Sequence, residues 1–479
     1  MAVRREVRCG RWGCVYTSSV RPLACHLLLK EKAFHLSGIC FANATNHRGE
    51  ALGVRIVMQP FSCRLALGVV FWKKTWEWIG MILKGATIID CTGREPYVAD
   101  LRVENGIIAE IGERLTGEEV LDWGGKFVIP GLINLHVHIN RRNESRTGSS
   151  FRAGAPVIEN GSDFHRILYA ARNAWYELSR GVTAMRDLCS VGRTASALKS
   201  AMEQGIIRGP RLYVCGLGIA STGGHETHRY PGAVEVDGPE EVRKAVRTEI
   251  RHGADFIKVM ASGGLGGMPE HEHPDWSEFT VAEMTAACEA AHSHNKTVTV
   301  HAMGALPVAN ALAAGVDGIE HGAVLTEESL DHMAERGTYY VPTASGITAV
   351  AAKERRVGSP ELAAEMERIV VLPQRESIRK AHERGILIGA GSDTLGSVPA
   401  ELLILQECGL TAYEALQTAT KNAAEILKND RIGTVEVGKL ADLVVLDGNP
   451  LEDLRNVEQV RWVMLGGEIV DEAWMCNLQ

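Results

Sequence analysis

The stretch FVIPGLINLHVHIN, Phe127 to Asn140, closes an apolar run with two histidines one residue apart. Side chains alternate along an extended chain, so His136 and His138 leave one side of it and Val137 the other. Such a pair is either a metal clamp or two polar residues that happen to share a face. Four more polar groups end apolar runs further along: Lys258 in DFIKVMA, His301 in TVTVHA, His321 in GIEHGA and Asp393 in LIGAGSD. Each histidine alone could be a hydrogen-bonded core or surface residue. Lys258 is stranger, because an ammonium on an apolar strand needs a partner or a depressed pKa. Four histidines, a lysine and an aspartate at the ends of such runs are poorly explained as independent accidents.

These groups need elements to hold them. From about Gly181 onward, short apolar runs (GVTAMRDL, RLYVCG and YYVPTA besides those above) alternate with helical patterns. FHRILYAARNAWYELSRG places Phe164, Ile167, Leu168, Ala171, Trp175 and Leu178 on one helical face and stops at Gly181. Thr280 to Glu283 and Thr411 to Glu414 have capping-box spacing, and Pro239 opens a helix that Gly253 closes. Together with FVIPGLINLHVHI this makes eight strand-plus-helix units in roughly 300 residues, which predicts an α/β fold with a closed (β/α)8 TIM barrel over 127–430. An open doubly wound sheet is the weaker alternative, since no GxGxxG follows a strand. The flanks alternate differently, with Gly and Asn turns. They predict one small antiparallel, β-sandwich-like module built from 81–126 and 431–479, with the barrel inserted between its halves. Barrel sites form at the carboxyl ends of strands, where the six polar residues are expected to converge.

With those residues in place, the sequence resembles the amidohydrolase superfamily, its binuclear metal branch in particular, over Met81 to about Val470. The resemblance implies that His136, His138 and Asp393 bind the more buried of two divalent ions, expected to be zinc, and that His301 and His321 bind the other. It further implies that Lys258 carries a carbamate formed from CO2 that bridges both. The residue types suit this. Neutral imidazole is a zinc ligand, an anion can bridge two cations, and carboxylation needs the free-base amine that an apolar strand beside a divalent ion favours. A metal-bridged hydroxide would then attack the carbonyl, with Asp393 taking the proton and returning it to the leaving amine.

Other segments carry weaker signals. STGGHETHRYPG is similar to the TGGH loop of amidohydrolases near the Xaa-Pro dipeptidases and imidazolonepropionases, which implies that His225 contacts the substrate carbonyl; a surface loop histidine is the alternative. Arg229 and Tyr230 are candidates for holding a substrate carboxylate, or an exposed loop pair. The HETH run is one residue short of HExxH, and its glycines argue for a loop. In EHEHPDW, His271 and His273 repeat the HxH spacing, but Pro274 favours a loop, read as rim or lid. NRRNESRTGSSFRAG carries Arg141, Arg142, Arg146 and Arg152, either a solvated charge run or an entrance that attracts anions.

Composition bounds the function. A hydrophobic fraction of 45% with 23% charged residues describes a soluble globular protein, and a net charge of −8 argues against nucleic acid as a partner. The average hides a break: residues 1–80 hold 12 Lys/Arg against 4 Asp/Glu, while the remainder holds 39 against 55. Such a basic start resembles a transit peptide, yet it has no sustained amphipathic period, and LALGVVFW falls short of the roughly 20 residues that span a membrane. Residues 1–80 are instead read as an atypical extension from a mis-called start. Translation from Met81 would follow the purine-rich codons of Trp76-Glu77. Eleven cysteines without CxxC spacing read as reduced thiols in a cytoplasmic protein. The expected activity is cleavage of a C–N amide bond in a dipeptide or N-acyl amino acid, with a small-molecule amide as partner, further copies of the chain, and neither nucleic acid nor membrane. Hydrolysis of a cyclic amide, carbamate, lactone or phosphotriester is the alternative on the same metals, and a non-catalytic scaffold ranks last because no ligand is missing.

Overall fold

The computed structural model describes residues 80–117, 119–141, 163–227, 232–266, 268 and 271–471, together with five strands ahead of them. Two compact units divide the chain, Met1–Trp78 and Ile79–Gln479. In the first, Arg5–Cys9 pairs antiparallel with Trp12–Tyr16, and Cys40–Thr45, Ala51–Ile56 and Val69–Trp72 form an antiparallel sheet in that order.

The second unit is built around a ring of parallel strands. Leu132–Val137, Val182–Asp187 and Arg211–Val214 pair in sequence. So do Ile257–Met260, Val298–Ala302, Gly318–His321 and Tyr339–Val341. The Asp255 N–H donates to the Val214 carbonyl at 2.8 Å and joins the two sets. Residues 387–393 close the ring. Tyr340 N–H donates to Leu387 O and Gly389 N–H to Tyr340 O on one side. On the other, Leu135 N–H donates to Ala390 O and Asp393 N–H to His136 O, all at 2.7 to 2.9 Å. This eighth segment has a single bridge, Tyr340 to Ile388, in place of a regular ladder. Its glycines explain the close approach: a Cβ on Gly391 would lie 2.7 Å from the His136 Cβ and 2.8 Å from Val341. A closed ring of strands with helices after each is the (β/α)8 barrel.

Helix punctuation follows local chemistry. Both capping boxes are formed, at Thr280–Glu283 and Thr411–Glu414, and Pro239 occupies the first turn of Pro239–Arg251. The helix Asp163–Ser179 differs from its expected face. Phe164 and Leu168 are exposed, whereas Ala171 and Leu178 of that face are buried, together with Ala170, Asn173, Ala174 and Glu177. The reason is polar: Asn173 donates to the carbonyls of Ile139 and Arg141 at 2.7 and 2.9 Å, so the helix turns an amide inward to satisfy the chain leaving the first strand.

The apolar run Phe127 to Ile139 is two strands, not one. Phe127–Pro130 pairs antiparallel with Leu443–Leu446 and parallel with Met81–Ile88, in a sheet that also holds Tyr97–Glu104, Ile107–Gly112 and Val460–Leu465. Leu132–Val137 belongs to the barrel. The sheet is therefore mixed, since Glu119–Asp122 also pairs parallel with Met81–Ile88. Its core packs Leu83, Ile88, Leu101, Val128, Val445 and Met464 around Trp123, whose ring stacks on Trp462 at 5.9 Å. The chain changes sheets at Gly131, where a Cβ would sit 2.1 Å from Thr183 Oγ1 and 2.8 Å from Thr183 Cβ.

Among the described residues, no helix is long and apolar enough to cross a membrane, and Cys91, Cys189, Cys215, Cys288 and Cys408 are free buried thiols. Because the neighbour at Gly131 is a β-branched residue on a central strand, Gly131→Ala is expected to lower stability by about 1 to 3 kcal/mol through overpacking. Urea unfolding with an unchanged slope checks this, and a wild-type midpoint would show that the crossing has room to spare.

Candidate metal centre

At the end of the first strand, His136 and His138 are both buried, with Val137 packed into the apolar layer on the other side. His136 Nδ1 lies 2.8 Å from Glu320 Oε2. Glu320 is fully buried, paired with the Arg186 guanidinium and bonded by Thr299 Oγ1 at 2.6 Å. Burial alone would raise its carboxyl, but Arg186 and His136 hold it well below the usual range. An ionised carboxylate only accepts, so Nδ1 carries the proton and Nε2 is left bare. That Nε2 is buried and has no hydrogen-bond partner.

The same logic fixes the other imidazoles. His138 Nδ1 donates to the Cys189 carbonyl at 3.2 Å, leaving Nε2, which stands 3.6 Å from Asp393 Oδ1. His321 Nδ1 lies 2.7 Å from Thr343 Oγ1, whose own proton goes to the Pro342 carbonyl at 2.6 Å, so the hydroxyl accepts and His321 Nε2 is bare. His301 is the exception in atom but not in principle: its Nε2 donates to the Gly263 carbonyl at 3.2 Å, which leaves Nδ1. Burial pushes all four below the ordinary histidine pKa. Four neutral rings, each with one nitrogen committed to a fixed acceptor, present four lone pairs.

The rings form a chain: His138 to His136 at 5.4 Å, His136 to His321 at 4.9 Å and His321 to His301 at 4.5 Å between centroids. Ligand atoms of His136, His321 and Asp393 lie within 4.8 Å of one another. His321 thus stands beside His136 and Asp393 as well as beside His301. Burial would raise the Asp393 carboxyl, but the surrounding histidines and Arg141 hold it well below the usual range. Lys258 Nζ is buried without a hydrogen-bond partner, and burial lowers its pKa. Two orphaned polar atoms, His136 Nε2 and Lys258 Nζ, the latter close enough to act electrostatically on His136, His301 and His321, fit a bound cation: the lone pair gains a partner, and the neutral amine is favoured over a costly buried ammonium.

Backbone strain gathers here as well. Of the eleven described non-glycine residues with positive φ, Cys189, Glu226, His321, Thr343 and Asp393 lie in or beside the centre. Such conformations cost about 1 to 3 kcal/mol each and persist where packing enforces them.

His225 joins the chain of rings, stacked on His301 at 4.2 Å. Its loop is pinned by carboxylates: Asp237 accepts from Thr222, Glu235 from the Gly223 N–H and Glu278 from the His225 N–H. Arg229 and Tyr230 lie outside the described residues, as do Arg142, Arg146 and Arg152. Arg141 is described and turns inward, bonding Glu226 and Thr394 Oγ1, so it borders the centre. In the EHEHPDW segment His271 is exposed and His273 half-buried, but Glu272 between them is buried, with Oε2 2.5 Å from His225 Nδ1. Sequence reasoning missed Glu272, Glu320 and Arg186. For Glu320 and Arg186 a signal existed, since a charged residue in the middle of an apolar strand needs a partner. Glu272 sits in a loop without period and carried none.

A model of the amidohydrolase family matches residues 127–470. The ochratoxinase of Aspergillus niger is 29% identical over 372 residues, covering 71% of this chain and 75% of that protein. An imidazolonepropionase of Brevibacillus brevis is 25% identical over 416 residues, covering 77% and 89%. Among solved structures, a Xaa-Pro dipeptidase with methionine bound in its active site is similar with a TM-score of 0.73 at 30% identity, over 82% of this chain and 100% of the other. The matched segment begins just before the sheet crossing at Gly131 and takes in the barrel strands and the returning module, so what it spans is the whole framework that carries the four bare imidazoles. The chain belongs to the amidohydrolase family, hydrolases that cleave amide-type carbon–nitrogen bonds.

Proposed function

We propose that this chain is a binuclear zinc hydrolase that cleaves the amide bond of a dipeptide or an N-acyl amino acid. The observation that carries this reading is the set of four buried imidazoles, each with one nitrogen committed and one bare, around the partnerless Lys258 Nζ. His136, His138 and Asp393 would hold one ion, and His301 and His321 the other. Lys258, carboxylated by CO2, would lie between them. Bound there, the ions would acidify water and polarise the scissile carbonyl. The rest falls to side chains. Asp393 takes a proton from the attacking water and passes it to the leaving nitrogen. His225, stacked beside His301, would act as the imidazolium, since Glu272 and Glu226 raise its pKa against the effect of burial. Its Nδ1–H stays with Glu272 while Nε2–H donates to the carbonyl oxygen as charge develops on it. The bound methionine of the similar dipeptidase supports an amino acid as one of the products.

The direct test is metal content of the purified chain together with a panel of dipeptides, N-acyl amino acids, cyclic amides and lactones. Two zinc ions per chain with turnover of the first two classes are expected; an active sample free of divalent ions would refute the reading.

Two substitutions probe the centre. Lys258→Ala should lose activity and metal together, and a short-chain carboxylic acid should restore part of both by taking the place of the carbamate; near-normal turnover without added acid rules out the bridge. Thr343→Val keeps the shape but removes the acceptor for His321 Nδ1. It should weaken metal affinity about 10- to 100-fold by chelator competition, while Thr343→Ser stays near wild type.

A further inference from the structure

We propose that Glu272 is the positioning residue for His225: its carboxylate locks the imidazole in place and leaves Nε2 as the nitrogen offered to the substrate. This deepens, and rests on, the reading of His225 as the group that meets the scissile carbonyl. The two residues stand 47 apart in sequence, yet Glu272 Oε2 lies 2.5 Å from His225 Nδ1. The same oxygen accepts the Gly264 N–H at 2.7 Å. Gly264 follows the fourth barrel strand, Ile257–Met260, which carries Lys258. One carboxylate oxygen is therefore tied both to the backbone beside the metal centre and to the ring.

The packing leaves the ring little freedom. His301 covers one face at 4.2 Å with an interplanar angle of 29°. At its edge a Cβ on Gly264 would come within 2.3 Å of His225 Cε1, so only glycine permits the approach. Glu226 Oε1 stands 3.5 Å from Nε2, and Glu226 is itself engaged by Arg141. The main chain of His225 is held by a different group, Glu278, whose two oxygens accept the His225 N–H at 3.0 and 2.9 Å. Glu278 places the loop and Glu272 orients the ring, so the two roles can be separated by substitution. A carboxylate is costly to bury at a loop unless strong donors meet it, and a ring nitrogen with a backbone N–H on one oxygen supplies them. Misplacing a catalytic group by about 1 Å can cost about 100-fold, which is the effect that Glu272 would prevent.

The test uses the metal-loaded full chain and the best substrate of the panel above. Glu272→Ala is expected to lower kcat about 10- to 100-fold with KM changed less than about twofold. Glu272→Gln, whose amide oxygen can still accept from Nδ1, should recover to within about fivefold of wild type. In a His225→Ala background, Glu272→Ala should cost nothing further, as expected of two residues acting as one unit. Equal losses in both backgrounds, or a Gln variant as damaged as the Ala variant, would overturn the proposal. Crystal structures of the two Glu272 variants supply a readout that needs no turnover. The Ala variant should show the His225 ring turned out of its stack on His301 and the Gln variant should show it in place; an unmoved ring in the Ala variant sinks the idea. If wild type cleaves no amide at all, the proposed function fails, and ring position alone still decides the role of Glu272.

Discussion

A buried imidazole has two nitrogens, and only one can be spared for a metal. Whichever is spared must have its partner nitrogen anchored, or the ring rotates and the tautomer becomes ambiguous. This chain solves that problem four times with different acceptors: a carboxylate for His136, main-chain carbonyls for His138 and His301, and a threonine hydroxyl for His321. The Thr343 hydroxyl can only accept because its proton is already given to Pro342. Its neighbours are fixed in turn by Glu401, which takes the N–H groups of Ala344 and Ser345 at 2.9 and 2.6 Å. Glu401 is fully buried, and that burial drives its carboxyl up to about 7.

The barrel makes such anchoring possible because neighbouring strands supply both ring and acceptor. Glu320 and His321 are consecutive on one strand, and they point to opposite uses: the first grips His136 across the barrel, the second presents its own lone pair. Arg186 then keeps Glu320 ionised, and gives two further N–H groups to Tyr339 and the Leu135 carbonyl at 3.0 and 2.7 Å. A buried ion pair of this kind adds little to stability by itself. Its value here is geometric, since a protonated Glu320 could donate to His136 and spoil the tautomer.

Much of this was legible in the sequence, and the reason is the strand period. Apolar runs ending in His136-x-His138, His301, His321 and Asp393 marked strand ends, and in a barrel strand ends share one mouth; Lys258, read as another such end, is instead the second residue of Ile257–Met260. Capping boxes at Thr280 and Thr411 were readable because their chemistry is local. What escaped was settled by contacts distant in sequence. Gly131 divides one apolar run between two sheets because Thr183 leaves no room for a side chain, and nothing near Gly131 in sequence announces Thr183. The first helix turns Asn173 inward rather than Phe164 because two carbonyls need a donor. The closing segment 387–393 forms a side of the barrel with one bridge, its glycines serving close approach to His136 instead of ladder pairing.

The split between strands and loops also orders what can be inferred about chemistry. Relatives that bear different names, an ochratoxinase, an imidazolonepropionase and a Xaa-Pro dipeptidase, resemble this chain at 25 to 30% identity over most of its length. A framework shared by enzymes so differently named fixes the reacting bond, not the molecule around it. The strands that carry the buried imidazoles belong to that framework. His225, which would meet the substrate, and Glu272, Glu226 and Arg141 around it all sit on loops, where a sequence can change without disturbing a ladder hydrogen bond. Glu272 shows how the two layers meet: a loop carboxylate reaches the backbone after the fourth strand and borrows its rigidity for a loop histidine. Substrate choice can therefore vary by altering what orients His225 while the strands that carry the buried imidazoles keep their register.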